Sequence, residues 1–234
     1  MATVSTDVPA PEPTKRRTAP PAAAPVTTIN PAPLGFIAFG LTTFVLSVYN
    51  AGIWGIQVDS PPNVAIGLAV FYGGLSQFIA GQWAFAAGNT LAATAFSSYG
   101  AFYLALSALY IPWFGVIDAY EAAPAHTKNI DPALAIFFLA WALFTILFWF
   151  GSFKTNIALS VALFLLALTL LLLSISEWKR DNLIGNRVKR AAGFIGIFTS
   201  LLIWYIGLAT LLTPELSYFA LPVGDLGRRH SDLE

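Results

Sequence analysis

Residues 60–117 read SPPNVAIGLAVFYGGLSQFIAGQWAFAAGNTLAATAFSSYGAFYLALSALYIPWFGVI, and no charged residue occurs between Asp59 and Asp118. A run of that length covers two membrane crossings and the turn that joins them. A helix on the surface of a soluble domain shows a charged face, and none is visible here. The whole chain agrees: 57% of its residues are apolar and 10% charged, against about 25% charged in a soluble domain. The class is therefore an all-α, polytopic membrane protein.

Working outward, six apolar segments of membrane-spanning length are expected at 33–53, 63–86, 90–111, 132–151, 155–175 and 191–212. Between them lie Pro61-Pro62, Gly88-Asn89, an acidic loop, a tight turn at Lys154 and a basic loop from Glu177 to Arg190. Trp54, Trp113 and Trp178 fall at span ends, where amphipathic rings meet the headgroups. Residues 1–29 are proline-rich around Lys15-Arg16-Arg17 and are expected to be a disordered tail. Residues 30–213 form the six-helix transmembrane domain, and 214–234 a mixed C-terminal tail at the surface.

Composition also removes classes of function. Net charge is zero, which gives no basis for a nucleic-acid partner. Cysteine is absent, and His126 and His230 lie outside the apolar segments. Disulfides, thiolate metal sites and intramembrane haem ligation are thereby excluded, and no cofactor or metal is expected. No nucleophile–base or acid–base set falls within the spans, so an enzyme is not expected. Six spans place both termini on one side. The Lys and Arg residues divide evenly between the two sides, so the positive-inside rule does not choose between them.

The first, third and fifth segments all start from one membrane face, and each start carries an asparagine: Asn30, Asn89 and Asn156. Each can cap its helix. Together, three helix amino termini present partial positive charge on one face, a setting that attracts carboxylates. Counting nine or ten residues onward reaches Phe39, Tyr99 and Leu166. At ~1.5 Å per residue they lie roughly 14–15 Å deep, near the midplane of a ~30 Å core. Equal depth suits either ordinary packing or an apolar constriction.

Helical faces refine the picture. Phe39, Thr43, Ser47 and Asn50 share one face of the first segment and suit a substrate-lined wall. Thr90 opens the third segment, where Thr94 and Ser98 share a face turned about 100° from Tyr99. In the second, Gly67, Gly74 and Gly81 recur every seven residues and form a face for close helix packing. Gln77 either lines the path or bonds across helices. Lys154 either snorkels in its turn or attracts substrate.

Several strings resemble the acetate uptake transporter family, which includes the succinate–acetate permeases. They are Asn30-Pro31-Ala32-Pro33-Leu34-Gly35, Phe71-Tyr72-Gly73-Gly74 with Gln77, Gly88-Asn89-Thr90 with Thr94-Ala95-Phe96, Ser98-Tyr99-Gly100, Lys154-Thr155-Asn156, Trp204-Tyr205 and Leu221-Pro222-Val223-Gly224. The resemblance implies a six-helix protomer with its own pore, assembled as a homohexamer in the cell membrane with both termini cytoplasmic. It implies uptake of acetate, and in some members succinate, with protons. It also maps an aromatic–leucine–tyrosine constriction onto Phe39, Leu166 and Tyr99.

Two positions depart from the family pattern. Ala84 stands where relatives usually have glutamate, and Tyr49 where bacterial relatives often have histidine. Both changes remove a titratable group, so coupling is expected to differ, for instance by carriage of the protonated acid. Two other functions are compatible with the sequence: a channel for ammonia or another small solute, and a membrane sensor or assembly protein that transports nothing.

Overall fold

The computed structural model describes residues 29–58, 60–180 and 182–226. Most of the expected N-terminal tail, His230 and the last residues of the C-terminal tail lie outside them. Six helices in the described residues are long and apolar enough to span a membrane. They are α1 (Ala32–Ala51), α2 (Asn63–Ala86), α3 (Thr90–Tyr110), α4 (Ile130–Gly151), α5 (Ile157–Trp178) and α6 (Leu183–Leu211). A short helix, Val116–Ala122, lies in the α3–α4 loop.

Local chemistry sets the ends. α1 starts on Pro31 and Pro33, whose missing amides would have had no partner in the first turn. Asn30 Oδ1 accepts the Ala32 N–H at 3.1 Å. The helix stops at Gly52, which adopts φ +62° and returns its N–H to the carbonyls of Val48 and Tyr49. Asn89 and Asn156 cap α3 and α5, accepting the amides of Ala92 and Leu159 at 3.0 and 2.8 Å.

Two expectations about helix course are corrected. The basic stretch up to Arg190 is not all loop: α6 begins at Leu183, because Asn182 accepts the amides of Ile184 and Gly185 and starts the helix there. Arg187, Lys189 and Arg190 thus ride on a helix whose first turns extend past the apolar segment. The glycine face of α2 is also broken. Residues Ala69–Ser76 form a π-helical stretch, whose wider turn rotates the first part of α2 relative to the last. Gly67 is exposed and meets nothing, whereas a Cβ at Gly74 or Gly81 would strike Leu104 or Ser97 of α3.

Close packing runs through small residues elsewhere too. α1 packs most extensively against α6, where a Cβ at Gly193 would collide with the Ala51 backbone and one at Gly196 with Ser47. Lipid offers no hydrophobic drive between helices, so such close approach carries the association. The seam between α3 and α4 is filled differently, by Phe102, Phe137, Trp141 and Phe144 in edge-on and stacked contact. α5 completes the bundle between α4 and α6.

The C-terminal segment is more than surface tail. Val223 and Gly224 offer their carbonyls to the amides of Ala158 and Ile157, and Leu226 donates to Thr155 O. Tyr205 Oη donates to Pro222 O at 2.6 Å. The segment is a strap across the start of α5.

Candidate functional site

Two cavities lie along α1, α3 and α5, walled by consecutive turns of the same helices. The smaller, about 40 Å³, is lined by Phe36 and Phe39 of α1, Ala95, Phe96 and Tyr99 of α3, Leu159, Leu163 and Leu166 of α5, and Gln77 of α2. The larger, about 100 Å³, continues with Thr43, Ser47 and Asn50, then Phe102, Tyr103 and Leu106, then Leu166, Thr169 and Leu170. It extends to Glu177 and Lys189. Leu166 stands in both walls.

Phe39 and Tyr99 line the smaller cavity, one helical turn before Thr43 and Tyr103 of the larger, and Leu166 borders both. The Phe39 and Tyr99 rings are 5.3 Å apart at 68°, and all three side chains are buried. The Tyr99 hydroxyl is already engaged: it donates to Thr145 Oγ1 on α4 at 3.0 Å, and Thr145 donates on to Trp141 O. A second hydroxyl pair sits on the side of the larger cavity. Thr43 Oγ1 donates to Phe39 O at 2.8 Å, so at 2.6 Å it is Tyr103 that donates to Thr43. Tyr103 is not among the residues expected from sequence, although it follows Tyr99 by one helical turn and shares its face.

Other candidates divide cleanly. Gln77 is buried, lines the smaller cavity, and its Oε1 has no hydrogen-bond partner among the described residues. Leaving such a group unpaired costs about 1–3 kcal/mol. Thr94 and Ser98 line neither cavity, since the inward face of α3 is the one that carries Tyr99 and Tyr103. Thr94 bonds back to Thr90 O. Thr90 and Lys154 are at the turns, Thr90 exposed and Lys154 without an ion pair to described residues. Ala84 is packed within the protein, and Tyr49 lines the larger cavity.

The three asparagine starts are not equivalent. Asn30, Asn89 and Asn156 all accept amides of their own helices. At α5, however, the strap takes the amides of Ile157 and Ala158, which removes them as anion donors. Charge gathers at the opposite end of the bundle. Glu177 lies within reach of Arg180 at 3.3 Å and Lys189 at 3.6 Å, and Arg180 also meets Asp131 at 2.8 Å. Partial desolvation works to lower the Arg180 pKa, but Glu177 and Asp131 outweigh it and the net shift is upward.

Residues 15–228 match the GPR1/FUN34/yaaH family. The chain belongs to that family. It is 45% identical to Ammonia transport outward protein 2 of Saccharomyces cerevisiae, over 84% of this chain and 68% of the relative. It is 32% identical to the Succinate-acetate/proton symporter SatP of Escherichia coli K12, over 84% of this chain and 95% of the relative. Among solved structures it is similar to the bacterial acetate channel SatP, with a TM-score of 0.70 and 30% identity, covering 84% of this chain and 99% of that one. The chain spans 63–68% of the length of three fungal relatives that it matches. The family member is a multi-pass membrane protein, and in keeping with its transporter and channel relatives it is not an enzyme.

Proposed function

We propose that the chain transports acetate and related small carboxylates, succinate among them, across the cell membrane, with both termini cytoplasmic. The observation that supports this reading is a pair of cavities along α1, α3 and α5 that share Leu166, the smaller of them lined by Phe39 and Tyr99; we read these three residues as the constriction. Each protomer supplies a complete path, and residues 30–213 are the transport unit between the tails 1–29 and 214–234. The helix starts at Asn30 and Asn89, with Lys154 nearby, draw the anion on the cytoplasmic face. Thr43, Ser47 and Asn50 replace part of the hydration shell in the larger cavity. The apolar ring passes the acid in protonated form or together with a proton, since a bare carboxylate is costly to desolvate there. Exposed apolar surface on α2, including Val64 and Phe71, suits a lipid or protomer contact in a homohexamer.

The test is labelled-acetate uptake by purified protein in vesicles, across a range of external pH, with and without an uncoupler. Uptake that rises with inward proton gradient and collapses with the uncoupler supports the coupled form. Uptake indifferent to the pH gradient and to the uncoupler would instead mean that the bare anion moves without a proton. A second reading, movement of ammonia, is favoured by the yeast relative's name and by the mostly apolar lining of the smaller cavity. Ammonia flux measured in the same vesicles, with acetate uptake absent, would replace the first reading.

A further inference from the structure

The wall of the larger cavity contains two charged side chains, Glu177 and Lys189. Glu177 lies in the last turn of α5, with its side chain 6% exposed. Burial and the negative end of the helix both disfavour a carboxylate there. Two cations answer it, and they are not alike. Arg180 is shared between Glu177 and Asp131, with Nη1 2.8 Å from Asp131 Oδ1 and 3.3 Å from Glu177 Oε2. Lys189 pairs with Glu177 alone among the described residues, at 3.6 Å, beyond hydrogen-bond length. An ammonium has three donors, and this one shares its cavity wall with Tyr49, Asn50 and Tyr110.

We propose that Lys189 is the cation that receives the substrate carboxylate in the larger cavity, and that Glu177 is its internal competitor. Glu177 holds Lys189 at the wall and yields it to an incoming monocarboxylate. Phe138, Leu170 and Leu173 of the same cavity accept the short apolar remainder. A second carboxylate finds no equivalent cation, because Arg180 is held by two anions and Glu177 itself repels. The site thus prefers a short monocarboxylate over a dicarboxylate. This inference rests on the transport reading above.

Labelled-acetate uptake by reconstituted wild type and variants tests it. In Lys189→Met the KM for acetate is expected to rise roughly tenfold, the scale of one lost charge-assisted hydrogen bond, with the maximal rate per protein changed less. Lys189→Arg is expected to recover most of the loss, and Glu177→Gln to lower the KM. The pair E177Q/K189M removes both charges, leaves Asp131 and Arg180 balanced, and is expected to keep the raised KM. A wild-type KM in that double variant means Lys189 only neutralises Glu177, and overturns the proposal; so does a wild-type KM in Lys189→Met. Should the wild type itself move no acetate, the transport reading fails and binding alone decides the site. Saturation-transfer NMR with acetate would then show a signal lost in Lys189→Met. Equal signal, or none, in both proteins would sink the site.

Discussion

The two cavities are walled by successive turns of the same three helices, yet one is lined almost wholly by apolar side chains and the other carries hydroxyls, an amide and an ion pair. The smaller holds one polar group without a partner, Gln77 Oε1, among aromatic and aliphatic side chains. The larger holds Thr43, Ser47, Asn50, Glu177 and Lys189. In the proposed reading the difference separates two tasks. An apolar segment sets the barrier, since an ion loses its hydration there. A polar segment recognises the substrate, since a cation and hydroxyls can replace water at low cost.

The harshest way to break the comparison is to disturb the wall common to both. Gly100 lies between Tyr99 and Tyr103, and a Cβ there would come 2.8 Å from Phe78 N and 2.9 Å from Gly74 O of α2. Neither backbone atom can yield locally, so Gly100→Val is expected to cost about 3 kcal/mol; a thermal melt in detergent that matched wild type would contradict this. Phe39→Ala merges the two cavities. Its acetate uptake, normalised to folded protein, is expected to change roughly tenfold in rate or in selectivity against larger acids, the equivalent of ~1.4 kcal/mol.

Smaller changes sharpen the contrast. Gly224 holds the strap at φ +74°, and a Cβ there would press on Ile157. Gly224→Val is expected to loosen the strap by about 1–2 kcal/mol, seen as faster proteolysis within 215–226. Gln77→Leu relieves an unpaired carbonyl and is expected to be neutral or about 1 kcal/mol stabilising while slowing uptake. Normal uptake in that variant would remove Gln77 from the path. Tyr103→Phe deletes the donor to Thr43 at a cost of about 1 kcal/mol, and its melting temperature should fall accordingly.

Part of the cavity lining was legible in the sequence because depth along a helix is a matter of counting. Nine and ten residues from the asparagines put Phe39, Tyr99 and Leu166 at one level, and they line one cavity. Rotation about a helix was less legible. Ser98 and Thr94 share a polar face, yet that face looks away from both cavities, and the π-helical turn in α2 swings Gly67 off the line of Gly74 and Gly81. Neither is visible in composition, because which side of a uniformly apolar helix turns inward depends on its neighbours.

By itself, then, the amino-acid sequence determined the membrane class, the six crossings, the proline and asparagine starts and the glycine stop. These come from local rules: backbone groups in lipid must bond within their own helix, and caps act within a turn or two. Only the tertiary structure decided that Tyr103 joins Thr43 and that the strap closes the start of α5. It alone brought Glu177 and Lys189 from different helices to one cavity wall. Those contacts join residues apart in the chain, and packing, rather than any local preference, selects them.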